Sequence, residues 1–358
     1  MQTNKIFANN YYIYLKQEEE LISWDIYDPN PDNCGFVAYF GKVLQVVEKN
    51  LQKTGITFYV TMTEIHDLPS YGDNVVVFII GDESCHIPRY THKVGAIFKC
   101  YGIKPILGCN PLLNPSYLNI LTTIKFLKNF AIRLPQIINY EFYKLTKLIS
   151  KNGKISPIFD IPLGYYNSEE LPLKNIQDRL YDIYFAGSVL HTKYPIWSMQ
   201  FWLRTPKTIS RQNMLEALSK FKGKKPNCTV EVSVTEAFGS SNGSAESISY
   251  NQKMMNTKIC LAPRGTSFET YRFFEAIKYG CIVITEALPP RWFYDGSPAI
   301  QIKDWRHLDK ILENLLSDPK YMEEMHQKSL NWWQTKCSEA VVGEYISQQL
   351  NHCLAKSA

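Results

Sequence analysis

The sequence predicts an α/β protein made of two Rossmann-like, doubly wound domains. Strand-like apolar runs alternate with helical segments in both halves of the chain. A stretch rich in Pro, Gly, Asn and Ser breaks that alternation at residues 151–172. At 358 residues the chain is long enough for two domains of ordinary size. The reading places a first domain at 1–160, a second at 161–335, and a helix at 336–358 that crosses back to the first. Two such domains joined by one linker define a cleft, where ligands are expected.

In the first half the strongest buried strand is VVVFIIG at 75–81, with weaker strands at 36–40, 57–60 and 105–107. Helices are predicted at 42–54, 118–130 and 140–150. In the second half a strand at 183–186 runs into a turn at Gly187 and Ser188. A helix at 210–220, a strand at 229–234 and a small-residue loop at 236–249 follow. A strand at 299–302, a helix at 308–316 and a helical tail over 319–354 complete the pattern.

The most informative stretch is APRGTSFETYRFFEAIKYGCIVI, 262–284. Strands on either side, at 258–262 and 281–285, bracket a single helix. Thr266 followed by Glu269 has the spacing of a capping box, which starts the helix near Ser267. Phe273, Ala276 and Ile277 form its packing face, and Gly280 ends it. A βαβ unit presents its loop at the carboxyl end of a parallel strand, where helix amides favour an anion.

Composition narrows the function classes. With 45% hydrophobic and 20% charged residues the chain is globular. A net charge of +5 without a dense Lys/Arg stripe argues against nucleic acid as a partner, and suits anionic ligands or an anionic membrane surface. The nine cysteines show neither C-x-x-C pairs nor metal-ligand spacing, so they read as reduced core residues of a cytoplasmic protein with no metal site. No apolar signal core and no run of about 18 apolar residues is present.

The run YNQKMMNTKICLAPRGTSFETYRFFEAIKYGCIVIT, 250–285, resembles the signature of the exostosin family of glycosyltransferases. Cys260, Pro263, Arg264, Gly265, Arg272, Glu275, Ala276, Ile277, Gly280 and Cys281 match that signature, while Ile282 stands where the family usually has Pro. YFAGSV at 184–189 is similar to the strand and glycine turn that open the family's nucleotide-binding domain. The resemblance implies a GT-B fold, with 1–160 binding the acceptor and 161–335 the nucleotide sugar. It implies transfer from a donor, UDP-linked, to a saccharide hydroxyl, with inversion and without a metal or other cofactor. In the absence of the Golgi anchor of the family's eukaryotic members, it implies a bacterial-type enzyme of surface polysaccharide synthesis.

On this resemblance Arg264 and the loop of Gly265, Thr266 and Ser267 stabilise the departing diphosphate. Glu275 takes the ribose hydroxyls, and Arg272 either contacts phosphate or holds Glu275. Gly187 and Ser188 approach the phosphates, and Arg211 reaches toward them from its helix. Beside these roles stand plain ones: a surface ion pair for Arg272 and Glu275, a tight turn at Gly187, and a helix cap for Glu269.

In the first half, IIGDESCHIPRY at 79–90 places Asp82, Glu83, His86 and Arg89 after the best strand. An inverting transferase needs a base for the acceptor hydroxyl, and Asp82 or Glu83 is the candidate. Trp292, Phe293 and Tyr294 suit either stacking on a ligand or core packing. The basic and aromatic stretch IKFLKNFAIRL, 124–134, suits peripheral docking to a membrane bearing a lipid-linked acceptor, or an ordinary amphipathic helix. The alternative function is a non-catalytic nucleotide- or glycan-binding protein. A Rossmann oxidoreductase is disfavoured because no G-x-G-x-x-G follows any strand.

Overall fold

The computed structural model describes residues 8–15, 20–28, 35–63, 65–149, 156–166, 170–189, 205–235 and 244–355. Much of the expected linker and of the loop at 236–249 lies outside these residues. The chain divides into two compact units. The first comprises Met1–Pro105, Leu127–Ser168 and Lys336–Ala358, and the second Ile106–Phe126 and Glu169–Thr335. Each is an α/β unit built around a largely parallel sheet, the fold class the sequence predicts.

The first sheet has the order β2-β1-β3-β4-β5-β6. Its strands are β1 (Asn10–Leu15), β2 (Glu20–Ser23), β3 (Thr57–Thr61), β4 (Gly72–Ile79), β5 (Val94–Lys99) and β6 (Ile158–Asp160). All neighbours are parallel except β1 with β2. Aromatic rings ladder across one face of it. Tyr11 stacks on Phe58 at 4.9 Å, Phe78 on Phe98 at 5.1 Å and Phe98 on Phe159 at 5.2 Å. Paired rings at that spacing stabilise neighbouring strands beyond the area they bury. Helix α1 (Ala38–Asn50) packs against the last helix of the chain, Glu339–Ala355, with Gly343 seated on Val46. The Tyr39 hydroxyl donates to the Cys337 carbonyl at 2.6 Å.

Three local expectations give way here. Residues 36–40 are helical and not a strand, because a short run that is buried throughout carries no periodicity to separate the two. No strand forms at 105–107; the fifth strand is Val94–Lys99, masked in sequence by its terminal lysine. The two helices expected at 118–130 and 140–150 are one 33-residue helix, α2 (Tyr117–Ile149), which runs through Pro135. Proline removes one hydrogen bond there, and packing of Ile137 and Tyr140 against Ile87 holds the helix on the far side.

The second sheet has the order β11-β10-β9-β7-β8, all parallel. Its strands are β7 (Tyr181–Ser188), β8 (Val230–Thr235), β9 (Thr257–Ala262), β10 (Ile282–Thr285) and β11 (Ile300–Gln301). Helices α3 (Pro206–Lys224), α4 (Ser244–Met255), α5 (Tyr271–Lys278), α6 (Leu308–Ser317) and α7 (Pro319–Trp332) belong to the same unit. Ile183, Phe185, Ile259, Leu261, Ile282 and Ile284 form the apolar layer on which Met214, Leu218, Phe221, Leu308 and Leu312 pack. Phe293 and Tyr294 are buried among Phe273, Phe274 and Trp332, so that cluster is core.

Gly280 ends α5 at φ +70, and a Cβ there would lie 2.5 Å from the His326 ring. His326 Nδ1 instead donates to the Gly280 carbonyl at 2.6 Å. Burial pushes the imidazole below its ordinary 6.5; the Gly280 carbonyl opposes that shift, and the Arg179 charge reinforces it. The unfolded chain therefore binds the extra proton more readily. The contribution of the neutral ring is intact above about pH 6.5 and is lost as pH falls through the lower folded value. The His326→Gln variant is expected to lose less melting temperature than the wild type between pH 7 and the acid side of that range. Equal slopes in the two proteins would refute the assignment.

Candidate functional site

The first two strands of the second sheet in chain order, β7 and β8, lie on one side of β9, and β10 and β11 on the other. Strand order thus reverses between β7 and β9, and their carboxyl ends form a topological switch point, the usual ligand crevice of open α/β sheets. Gly187 and Ser188 end β7, and the Arg264 loop follows β9. Three arginines meet there.

Arg211 reaches the crevice from α3. It is buried, donates from Nη1 to the Ser188 carbonyl at 2.6 Å, and donates from Nε to the Arg264 carbonyl at 3.2 Å. It ties the two strand ends together. Arg264 is only 4% exposed; its guanidinium lies over the Phe268 ring at 3.9 Å and donates to Thr122 Oγ1 at 3.0 Å. Its amide faces Glu286 Oε1 at 3.4 Å. Glu286, one residue past β10, also accepts from the Ser210 hydroxyl and from Trp305 Nε1 at 3.0 Å. This carboxylate organises the crevice wall, and no local motif announced it.

Arg272 stands in the first turn of α5, with its guanidinium over the Phe185 ring at 4.8 Å. Its Nε and Nη1 are buried with no hydrogen-bond partner among the described residues. Buried donors of a charged group left unpaired are costly, so an acceptor from outside the protein, a ligand oxygen or a water, is the expected partner. Gly187 lies directly beneath: a Cβ there would sit 2.3 Å from Arg272 Nη2 and 3.4 Å from Arg211 Nη1. The Gly187→Ala variant is expected to lose some stability, since Gly187 holds a φ of +153 that a residue with a Cβ adopts only under strain, and in its folded form to bind anionic ligand about tenfold more weakly. Titration calorimetry with UDP measures this; unchanged affinity would detach Gly187 from the site.

Glu275 follows one helical turn later, buried, and accepts from the Tyr250 hydroxyl at 2.6 Å. Burial, then the Glu275 charge, push the Tyr250 phenol well above its ordinary value, so it remains a donor. Arg272 and Glu275 are therefore not an exposed ion pair. Gly265 is buried, Ser267 half-buried and Thr266 exposed, with the Thr266 carbonyl taking Lys125 Nζ at 2.9 Å.

The capping box is not formed. Helix α5 begins at Tyr271 behind Thr270, which makes no side-chain cap, and Thr266, Ser267 and Phe268 sit in a bend before it. Glu269 is drawn away by Arg291, whose Nη2 lies 2.9 Å from Oε2, with both side chains almost wholly buried. A buried guanidinium outcompetes a backbone amide for the carboxylate. The loop amides consequently do not continue into the helix dipole.

In the first unit Asp82 follows β4 and is 7% exposed. Its Oδ2 accepts from Lys99 Nζ at 2.7 Å, and Oδ1 lies 2.8 Å from His86 Nδ1. Burial raises its pKa, but the Lys99 charge and hydrogen bond, with His86, overcome that and hold the carboxyl below the ordinary range. Lys99 is fully buried at the end of β5, and His86 Nε2 contacts Arg133 Nη2. Asp82 is thus an ionised anchor with both oxygens engaged, and Glu83 beside it is half-buried. Elsewhere in the first unit Asp25 Oδ1 accepts the Tyr27 amide at 2.9 Å in a tight turn, and Asp28 is exposed.

Residues 184–291 match the family described as RXYLT1 C-terminal domain. The chain is 25% identical over 196 residues to ribitol-5-phosphate xylosyltransferase 1 of Danio rerio, covering 49% of this chain and 41% of that protein. It thus spans less than half the length of that relative. Among solved structures, the chain is similar to sucrose-phosphate synthase from Thermosynechococcus elongatus at 13% identity, TM-score 0.42, covering 91% of this chain and 94% of that one. It is also similar to a GtfA/B complex at 12% identity, TM-score 0.41, covering 79% of this chain and 58% of that one.

Proposed function

We propose that the chain is a glycosyltransferase whose second unit holds the diphosphate of a nucleotide sugar at the switch point between β7 and β9. The observation that carries this is Arg272, with two buried N–H groups that have no partner among the described residues, above Gly187 at the carboxyl end of the sheet. Arg272 binds the diphosphate directly. Arg264 and Arg211, already committed to Thr122 and Ser188, hold the crevice in shape and add positive potential. As the sugar departs, charge grows on the terminal phosphate, and preorganised cations stabilise it there without reorganisation. Three guanidinium groups give that stabilisation without a metal. Glu275 is assigned to a ribose hydroxyl, which would take the position the Tyr250 phenol now occupies.

The match to a protein named as a xylosyltransferase makes a UDP-linked pentose or hexose the first donor to test, with a saccharide hydroxyl as acceptor. On the acceptor side we assign proton removal to the cluster of Asp82, Glu83 and His86. Asp82, with both oxygens engaged, acts there by orienting His86. The role in surface polysaccharide synthesis, the cytoplasmic setting and inversion at the anomeric carbon complete the proposal.

That same engagement of Asp82 favours a second reading, a nucleotide-binding protein with no free acceptor base. The test is a thermal-shift and calorimetric panel with UDP, GDP, CMP, ADP and NAD without metal, followed by transfer assays with UDP-xylose and UDP-hexoses. A diphosphate nucleotide is expected to raise the melting temperature by mass action, and donor consumption is expected to require acceptor. Stabilisation by nucleotide without turnover under any acceptor would favour the second reading. No shift with any nucleotide would refute both.

A further inference from the structure

The part of α2 within the first unit carries two apolar faces. One is turned inward: Ile137 and Tyr140 are buried against Ile87, and Arg133 donates from Nε to the Ser84 carbonyl at 3.0 Å. The opposite face is turned outward. Leu127, Leu134, Ile138, Phe142 and Leu145 recur at helical spacing and are between 36% and 61% exposed, and exposed Ala131 completes the row. A surface helix of a globular protein buries its single apolar stripe. A contiguous exposed row about 27 Å long, at 1.5 Å per residue, marks an interaction surface.

Charge selects the occupant. The helix carries Lys125, Lys128, Arg133, Lys144 and Lys147 against a single acid, Glu141. Glu141 is itself held by Lys104 at 3.3 Å and Lys144 at 4.0 Å. By helical geometry Lys128 and Lys144, both exposed, flank the outward row on its two sides. A second copy of the chain docking here would set this basic border against itself in either orientation, at a cost in repulsion. An anionic surface has the opposite effect.

We infer that this face of α2 docks in the plane of an anionic phospholipid membrane, with Leu134, Ile138 and Phe142 in the acyl boundary and Lys128 and Lys144 at the headgroups. Among the described residues no helix is long and apolar enough to cross a membrane, so the helix lies on the surface. The inference is independent of the nucleotide site and is tested without it.

The experiment is co-sedimentation of the full chain with phosphatidylcholine vesicles, with and without phosphatidylglycerol, alongside light scattering of the free protein. Binding is expected to the anionic vesicles and to weaken with added salt. The variant Ile138→Glu/Phe142→Glu changes two exposed positions, so its melting temperature is expected to stay close to wild type and its vesicle affinity to fall at least about tenfold. Lys128→Glu/Lys144→Glu, which leaves the apolar row intact, is expected to lose the preference for anionic lipid. Absence of binding to either vesicle, or binding unaffected by both variants, would overturn the inference. A dimer in solution that Ile138→Glu/Phe142→Glu dissociates would also overturn it, making a second copy the occupant.

Discussion

Arg272→Ala is expected to abolish the thermal shift produced by UDP and to lower kcat/KM for transfer by roughly 100-fold or more, as loss of a preorganised donor to developing charge does elsewhere. The apo protein is expected to be no less stable for the change. Among the described residues Arg272 Nε and Nη1 have no hydrogen-bond partner, so their removal relieves a buried, unsatisfied charge and gives up the contact with Phe185. That combination separates a ligand-binding arginine from a structural one: ligand stabilisation disappears while the unliganded melting temperature holds. Arg264→Ala makes the useful comparison. Arg264 is packed on Phe268 and bonded to Thr122, so its loss is expected to reduce both nucleotide affinity and apo stability. An Arg272→Ala protein that still binds UDP as the wild type does would place the diphosphate elsewhere.

Asp82→Ala is expected to destabilise the first unit by about 3–5 kcal/mol, because it leaves Lys99, fully buried, as an uncompensated charge. Chemical denaturation measures this directly. Loss of activity in this variant would therefore say little about catalysis. Asp82→Asn/Lys99→Met removes the buried charge together with its partner and keeps an acceptor for one of the His86 and Ser84 amides, which bond different carboxylate oxygens. That double variant is expected to recover most of the lost stability. If it is folded and still inactive, the Asp82 and His86 pair takes part in acceptor activation; if transfer returns with folding, Asp82 is structural. The pH dependence has a definite sign. With its folded pKa depressed, the Asp82 carboxylate contributes stability above the ordinary carboxylate range, and that contribution is lost as pH falls through the folded value.

The second unit was legible where its information is local. The strands Thr257–Ala262 and Ile282–Thr285, the helix between them and the positive-φ Gly280 all followed from apolar spacing and turn chemistry within about thirty residues. The misreadings share a cause. Glu269 had the spacing of a cap, but its partner is Arg291, 22 residues away. Residues 36–40 are buried on every side, so no period distinguished strand from helix. Glu286 joins Ser210, Arg264 and Trp305 from three separate segments, and no motif joins them in sequence.

By itself the sequence determined the α/β class, the βαβ unit around residue 264 and the concentration of arginines near it, because secondary-structure periods and turn residues act over short separations. The tertiary structure alone decided which arginine is open. Arg211 and Arg264 donate to Ser188 and Thr122, up to 142 residues distant, while Arg272 keeps two buried donors with no acceptor among the described residues. It likewise decided that Asp82 is held between Lys99 and His86, and that one face of the helix over 127–145 stays apolar and exposed. Partners for buried charges are chosen by proximity in the folded chain, and spacing along the sequence carries no record of that choice.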